Sequence, residues 1–234
     1  MIELKQVKKA YGSTGALQGV NLTLDMGKII GIAGENGSGK STLLKSIAGV
    51  SKIDSGSIEI DGTPVSRKHA DEIAYLPDAD MFYPYFTVEQ LFAYYRSQFA
   101  DFNEIKAKEV LDFLEVPLSS KMKNLSKGMR GRAKMAVTLG RESRYYLMDE
   151  PFSGLDPMVR SDLVKGLIQF TDLERQTLIL STHEIREVEI LLDELVLLKN
   201  GKVLAHRQLD EIRGETGMDM VEWMTKETKA GATG

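Results

Sequence analysis

The stretch that decides the fold is Gly34-Glu35-Asn36-Gly37-Ser38-Gly39-Lys40-Ser41-Thr42. It matches the phosphate-loop pattern G-x-x-x-x-G-K-[ST] in full. The apolar run Ile29-Ile30-Gly31-Ile32-Ala33 leads into it, and apolar residues at helical spacing lead out of it, namely Leu43, Leu44, Ile47 and Ala48. The pattern therefore predicts a strand, a glycine-rich turn and the start of a helix.

This order of elements predicts a binding site for a nucleoside triphosphate. Glycines let the backbone curl so that successive N–H groups point inward, and the helix start adds the positive end of its dipole. Lys40 supplies a charge for the β- and γ-phosphates, and Ser41 supplies a hydroxyl for Mg²⁺. A chance match is expected at a frequency on the order of a percent. The predicted phosphate contacts are Gly34, Asn36, Gly37, Ser38, Gly39, Lys40, Ser41 and Thr42.

Composition bounds the class of protein. The chain has 234 residues, enough for one large α/β domain, and its 42% hydrophobic and 27% charged residues are typical of soluble globular proteins. No apolar run approaches the roughly 18 residues that span a bilayer, so no direct membrane insertion is expected. The absence of cysteine excludes disulfides and thiolate metal sites. A net charge of −4 without a basic block indicates no nucleic-acid binding.

Hydrophobic patterning predicts an α/β fold. Apolar and polar residues alternate from Val20 to Asp25, as in a strand with one buried face, and a hairpin turn is predicted at Asp61-Gly62. Helices alternate with strands from about Gly128 onward. We therefore expect a P-loop NTPase core with a mostly parallel sheet, an N-terminal antiparallel β subdomain and an inserted α-helical subdomain.

The predicted division of the chain follows these changes of pattern. Residues 1–77 and 124–210 form the expected nucleotide-binding core, 78–123 the helical subdomain and 211–234 the C-terminal tail. The tail is expected to fray from Lys226 to Gly234. The predicted helices of the core include one over Val159, Leu163 and Leu167. Others run from about Gly128 to about Glu142 and over Ile185, Val188, Leu191 and Leu192.

The helical segment is rich in aromatic residues. Nine of the 17 aromatic residues of the chain fall between Phe82 and Phe102. One interpretation is the core of a small subdomain. The other is a docking surface, because aromatic residues are over-represented at the centres of interfaces. A subdomain of this size does not easily bury nine rings, so both interpretations stay open.

Two adjacent carboxylates end another predicted strand. The run Tyr145-Tyr146-Leu147-Met148 leads directly into Asp149 and Glu150. Beside a phosphate loop, this arrangement predicts that Asp149 holds Mg²⁺ and that Glu150 polarises the attacking water as general base. An acidic turn after a strand is common by itself, so the assignment depends on the phosphate loop.

Further motifs stand on either side of this carboxylate pair. Leu125-Ser126-Lys127-Gly128-Met129 precedes it, Ser153-Gly154-Leu155-Asp156 follows it, and Ser181-Thr182-His183-Glu184 comes after the next strand. With these motifs the chain resembles the ATP-binding subunit of ATP-binding-cassette (ABC) transporters. The resemblance covers nearly the full length, from about Ile2 to Asp210.

The resemblance implies a role for each motif. Tyr11 corresponds to the aromatic residue that stacks on adenine, and His183 to the switch histidine that contacts the γ-phosphate. Ser126 and Gly128 correspond to the signature motif, and Asp156 to the loop across the dimer seam. In the family, each ATP is clamped between the phosphate loop of one subunit and the signature of the other. The signature also stands at a predicted helix start, which forms a second anion site.

The chain departs from the family pattern at three positions. Asp78 stands where the family usually has glutamine, at the hinge before the helical subdomain. A carboxylate there could reach Mg²⁺ or its water. Lys127 and Met129 stand in the signature where glycine and glutamine are commoner. This variant resembles the branch of bacterial cassettes that serve export-type permeases.

The sequence therefore predicts an ATP-hydrolysing subunit that drives a separate membrane permease by ATP-dependent dimerisation. The expected cofactors are ATP and Mg²⁺, and the expected partners are permease subunits and a second ATPase subunit, identical or different. A cytoplasmic location on the inner face of the membrane follows from the permease. The alternatives are an ABC-type ATPase without a transport role and a nucleotide-sensing regulator without turnover. The catalytic residues Glu150 and His183 disfavour the regulator.

Overall fold

The computed structural model describes residues 1–79, 82–216 and 218–230, with side chains at all of these except 67, 68, 215 and 216. Ten strands run through this part of the chain. They are β1 (Ile2–Tyr11), β2 (Thr14–Leu24), β3 (Ile29–Ala33), β4 (Ser55–Ile60), β5 (Thr63–Pro64), β6 (Ile73–Leu76), β7 (Tyr145–Met148), β8 (Thr177–Thr182), β9 (Glu194–Lys199) and β10 (Lys202–Gln208).

The strands form two sheets. The first is antiparallel, in the order β2-β1-β4-β5, and the second has the order β10-β9-β3-β8-β7-β6. In the second sheet all neighbours are parallel except the β9–β10 hairpin at one edge. The predicted fold class is confirmed, with an antiparallel N-terminal sheet and a mostly parallel second sheet.

Seven α-helices lie in the described part of the chain. They are α1 (Lys40–Ile47), α2 (Val88–Gln98), α3 (Glu104–Phe113), α4 (Lys127–Leu139), α5 (Pro157–Phe170), α6 (Leu209–Thr216) and α7 (Met220–Ala230). None of the described helices is long and apolar enough to cross a membrane.

The central strands separate two hydrophobic cores. β3 and β7 are buried along their whole length, and their alternate residues enter opposite cores, as a period of two requires. Tyr145 and Leu147 pack with α1 and the first sheet, whereas Tyr146 and Met148 pack with the other helices. The carboxyl end of β7 is therefore held from both sides.

Two predicted helices differ from the structure. The segment around Ile185, Val188 and Leu191 forms two short 3₁₀ turns rather than an α-helix. These three buried residues recur at intervals of three, which matches the three residues per turn of a 3₁₀ helix. α4 ends at Leu139, before the predicted Glu142. Past Leu139 the backbone bonds instead to the segment 101–103, with the N–H of Asn103 donating to the oxygen of Gly140 and that of Glu142 to the oxygen of Asp101.

The prediction that the tail frays from Lys226 onward is wrong as far as Ala230, where α7 ends. Met220 and Trp223 anchor this helix, with only 2% and 5% of their surface exposed. Burial of two large apolar side chains stabilises a helix that is polar on its other face. Residues 231–234 lie outside the described residues. The division into a core, a helical subdomain and a tail stays a prediction.

The nine aromatic residues divide between the two interpretations. Phe92 and Phe102 are buried in the core, and Phe82, Tyr95 and Phe99 pack against it. Tyr83, Tyr85 and Tyr94 are exposed, to 55%, 75% and 38%. Phe86, the ninth, is half-buried, and its ring centroid lies 4.8 Å from that of Tyr83. The segment therefore supplies both a core and an exposed aromatic surface.

Candidate functional site

The phosphate loop lies between β3 and α1, as the sequence predicts. Gly39 precedes the helix with φ of 108°, and a Cβ atom on it would lie 2.5 Å from the backbone oxygen of Ala16. Only glycine fits this left-handed, tightly packed position. No side chain caps the helix, and its first turn holds no acidic residue. Its first N–H groups, from Lys40 onward, therefore remain available to an anion.

The ammonium group of Lys40 is buried inside this loop. Its Nζ donates to the carbonyl oxygen of Gly34 at 2.7 Å and lies 3.3 Å from Oε1 of Glu150. Lys40 is only 5% exposed. The hydroxyl of Ser38 is also buried, and it has no hydrogen-bond partner among the described residues. A buried cation and an unpartnered hydroxyl in one loop suit a phosphate group.

Asp149 stands directly after β7 and is 2% exposed. Its Oδ1 accepts hydrogen bonds from the hydroxyls of Ser41 and Ser181, at 2.9 and 2.8 Å. Tyr75 donates to Oδ2 at 3.4 Å. Burial, and then the charge of Asp149, raises the pKa of Tyr75 well above its usual range, so the phenol keeps its proton.

These contacts join the predicted phosphate loop to the predicted metal arm, which is the end of β7 that carries Asp149. Ser41 and Asp149 offer neighbouring hard oxygen atoms of the kind that Mg²⁺ binds. Within the described residues no group of three or more His, Cys, Asp or Glu side chains forms a metal site. The hydroxyl of Ser41 and the carboxylate of Asp149 fit a magnesium ion that takes its remaining ligands from phosphate and water.

Glu150 occupies a strained position at the head of the next loop. Its φ is 49°, an uncommon value for a residue other than glycine. The hydroxyl of Ser181 accepts from its backbone N–H at 2.9 Å, and Nδ1 of His183 lies 2.8 Å from its Oε2. The structure thus brings Lys40 and His183 to the two oxygens of one carboxylate.

The signature residues form a second, separate group. Ser126 caps α4, and its Oγ accepts from the N–H of Met129 at 3.2 Å. Gly128 packs so closely that a Cβ atom there would lie 3.0 Å from the side chain of Val159. Asp156 caps α5 through the N–H groups at its start. All of these residues line a cavity of about 430 Å³ that contains no residue of the phosphate loop.

A larger cavity, of about 800 Å³, lies beside the phosphate loop. Residues 34–38 and His183 line it, together with one face of α7. Part of the phosphate loop thus lines one cavity, and the signature residues line the other. Lys40, Ser41, Asp149 and Glu150 line neither cavity and are joined to one another by the contacts described above.

Tyr11 and Asp78 lie at the edges of the site. Tyr11 ends β1 with its ring 52% exposed, and its hydroxyl is 3.3 Å from that of Ser51. The carboxylate of Asp78 is exposed, while its backbone oxygen accepts from Lys134 at 3.1 Å. No contact between Asp78 and the metal arm is present among the described residues. Its negative charge contributes, after Asp149, to the raised pKa of Tyr75.

The sequence analysis gives no role to two residues that contact Asp149 in the structure, Ser181 and Tyr75. Ser181 precedes His183 in a motif that the sequence shows, but its contact depends on the pairing of β7 with β8. Nothing in the sequence around Tyr75 indicates that its hydroxyl meets Asp149.

Comparison with known proteins identifies the family. A family model described as "ABC transporter" matches residues 17–153, which is more than half of the chain. The chain belongs to the ABC transporter family.

Two curated relatives cover most of this ABC protein. It is 32% identical over 225 residues to the Nod factor export ATP-binding protein I of Rhizobium etli, covering 91% of this chain and 71% of that protein. It is 33% identical over 210 residues to a probable sulfate/thiosulfate import ATP-binding protein of Chlorella vulgaris, covering 87% and 89%.

Solved ABC structures share the whole fold. An ATP-binding subunit of an ABC transporter superposes with a TM-score of 0.84 at 27% identity, covering 97% of this chain and 98% of that one. A dimeric ATP-binding cassette in a post-hydrolysis state, bound to ADP and Pi, gives a TM-score of 0.79 at 25% identity, covering 89% and 99%. The ABC chain is accordingly a nucleotide-binding, ATP-hydrolysing subunit of an ABC transporter.

Proposed function

We propose that two ATPase subunits hold ATP between them. Each ATP would lie between the phosphate loop of one subunit and the signature of the other. The observation that carries this proposal is that the signature residues line a cavity of their own, which contains no residue of the phosphate loop. The helix start at Ser126 and Gly128 then faces the γ-phosphate of the partner's ATP.

Within one subunit, different residues would bind the phosphates, the adenine and the metal ion. Lys40 and the N–H groups at the start of α1 would hold the phosphates, and the exposed ring of Tyr11 would stack on the adenine. Ser41 and Asp149 would hold Mg²⁺, with Asp78 close enough to influence its water ligands. When bound, the ion neutralises charge on the phosphate oxygens.

Glu150 is the proposed general base. In the structure its carboxylate is held by Lys40 and His183. A γ-phosphate that takes over the ammonium of Lys40 would leave Oε1 of Glu150 free to accept a proton from water. His183 would keep the other oxygen in place and reach the phosphate itself.

The partner in the membrane is proposed to be a permease on separate chains. The exposed rings of Tyr83, Tyr85 and Tyr94 form the aromatic surface, and Tyr83 and Tyr94 pack edge to face, with their centroids 5.8 Å apart. Next to them lies a cavity of about 200 Å³. An exposed aromatic surface beside a cavity suits an apolar helix end of a partner. The subunit would then sit on the cytoplasmic face of the membrane.

The direction of transport stays a prediction. Lys127 and Met129 in the signature indicate the export-type branch.

Size-exclusion chromatography of Glu150→Gln tests the composite site. With Mg²⁺ and ATP the variant should elute as a dimer that contains two ATP molecules, and without Mg²⁺ it should elute as a monomer. If one ATP is bound per monomer and no dimer forms at any protein concentration, a composite site between two copies of this chain is wrong. A dimer formed by this chain alone would show that the second subunit can be identical. A dimer that needs another ATPase chain would show that the second subunit is different.

A further inference from the structure

A largely desolvated ion pair joins α5 to the turn that follows His183. Arg160 lies in the first turns of α5, and its Nη2 forms an ion pair with Oε1 of Glu187. The same nitrogen donates to the backbone oxygen of Leu155 at 3.1 Å. The two side chains are only 21% and 12% exposed. One guanidinium group therefore ties the Ser153–Asp156 loop to a second loop that is distant in sequence.

Glu187 stands at the end of a rigid segment. It ends the 3₁₀ turn that begins two residues after His183, and its N–H donates to the backbone oxygen of Glu184 at 3.2 Å. Ile185 and Val188, on either side, are buried in the core. A displacement of Glu187 is therefore transmitted to His183 through a short, packed turn rather than absorbed by a flexible loop.

The Arg160–Glu187 ion pair adds little net stability, because its Coulombic attraction is offset by the penalty for removing water from both charges. Two charges lose most of their water here, and Nε of Arg160 has no hydrogen-bond partner among the described residues. Burial, and then a hydrogen bond with Glu184, raises the pKa of Glu187 to about 7, against the opposing effect of the Arg160 charge. An apolar contact would hold two loops together with a smaller desolvation penalty, so a purely structural role explains the pair poorly.

We propose that Arg160 is a positioning residue that couples the loop across the dimer seam to His183. The connection runs from the backbone of Leu155 through Arg160 to Glu187, and then along the 3₁₀ turn from Glu187 back to His183, which contacts Glu150. When the partner subunit packs on the Ser153–Asp156 loop, Arg160 sets the position of His183 relative to the general base. The inference rests on the proposed roles of His183, Glu150 and the seam loop.

The test compares Arg160→Met and Glu187→Gln with a matched control on the same helix. Asp162→Asn breaks the Arg132–Asp162 ion pair, which also joins α5 to a neighbouring element but does not lead to His183. Both test variants should lower kcat on the order of 10-fold to 100-fold, the scale of a small misplacement of a catalytic group, with KM for ATP within a few-fold. The control should keep kcat within about 2-fold at a similar loss of thermal stability.

A spectroscopic readout separates positioning from general destabilisation. The protein has three histidines, so their imidazole signals can be assigned by NMR. Arg160→Met should move the imidazole signal of His183, while the signals of His69 and His206 stay in place. Glu187→Gln provides the same test from the other side of the pair if the arginine variant does not fold.

The outcomes distinguish this inference from the proposed function. Suppose that the wild-type protein dimerises with ATP and hydrolyses it. If the test variants then match Asp162→Asn in kcat, or leave the His183 signal unmoved, only the coupling is overturned. If Arg160 and Glu187 act through one connection, the double variant should lower kcat no more than either single variant does. Additive losses of kcat in the double variant would therefore overturn the coupling as well. If wild-type ATP-dependent dimerisation is absent, the proposed function fails instead, and the His183 signal still decides whether the two loops are linked.

Discussion

Nδ1 of His183 lies 2.8 Å from Oε2 of Glu150, whose other oxygen lies 3.3 Å from Nζ of Lys40. The proposed general base is thus held between two groups that are both proposed to contact the γ-phosphate. Its left-handed backbone and the hydrogen bond to Ser181 orient it further. On the proposed mechanism, ATP would compete with Glu150 for Lys40, and ATP binding would therefore free Oε1 of Glu150.

Glu150→Gln should preserve ATP binding and lower kcat by on the order of 10²-fold or more, the usual effect of losing a general base. Glutamine keeps the shape of the side chain and cannot accept the proton. Steady-state ATPase assays and equilibrium ATP binding measure the two effects. Glu174→Gln, an exposed carboxylate in a turn, serves as control. Turnover at the wild-type rate would remove Glu150 from this role.

Lys40→Ala should weaken ATP binding by on the order of 10-fold to 100-fold. Loss of a charge-assisted hydrogen bond costs about 1.5–3 kcal/mol, and each 1.4 kcal/mol is about tenfold in affinity. Isothermal titration with a slowly hydrolysed ATP analogue measures the change. Lys45→Ala, one turn further along α1, is the matched control and should bind normally.

Ser126→Ala should leave ATP binding to the monomer nearly intact and block the ATP-driven dimer of a Glu150→Gln background. Because Ser126 also caps α4, alanine costs about 1 kcal/mol of stability as well. Ser126→Asn keeps a capping oxygen but fills the cavity, so it should be stable and still fail to dimerise. Normal dimerisation of both variants by size-exclusion chromatography would show that the signature does not close the site.

Asp78→Gln should keep ATPase activity within a few-fold and chiefly shift its Mg²⁺ dependence, because the carboxylate lies near Tyr75, which contacts Asp149. Asp78→Ala should weaken stimulation by the permease more than basal turnover, since the hinge leads to the aromatic surface. Titration of activity with Mg²⁺, with and without permease, measures both. Asp71→Asn is an exposed control. Unchanged curves for both variants would make Asp78 an ordinary turn residue.

Glu194 should make stability depend on acid pH. Burial raises the pKa of Glu194, but hydrogen bonds from Lys28 and His206 lower it more, so the net shift is downward from 4.5. The native state therefore binds fewer protons than the unfolded state. The contribution of Glu194 is complete above pH 4.5 and is lost as the pH falls through the lower native value.

Glu194→Gln should consequently cost about 1–3 kcal/mol at neutral pH, the range for a lost hydrogen bond to a charged group. The difference from wild type should shrink below pH 4.5. Urea denaturation from pH 3 to pH 7 measures it. A difference that stays constant over this range would contradict the assignment.

Local sequence was sufficient to predict the fold class and the two main motifs. The phosphate loop needs glycine at positive φ followed by a helix start, and both requirements are met within nine consecutive residues. The buried strand before Asp149 is likewise visible as an apolar run. Such features are predictable because the backbone geometry and the chemistry depend on adjacent residues.

The contacts between motifs were decided by tertiary structure. Met148 pairs with Leu180 in the parallel register of β7 and β8, and this register brings Ser181 to Asp149. The order of strands in a sheet is a property of the whole chain, so no local pattern predicts that contact. The same holds for Arg160 and Glu187, whose elements meet only after folding.

Packing also decided the conformation of two segments where patterns misled. Residues 185–191 have apolar spacing that suits an α-helix, but the core accommodates tighter 3₁₀ turns. The polar C-terminal segment forms α7 because Trp223 and Met220 find an apolar surface made by other elements. The sequence by itself determined the phosphate loop between a strand and a helix and the two carboxylates that follow β7. Only the tertiary structure decided which side chains meet, because burial and register depend on residues far apart in the chain.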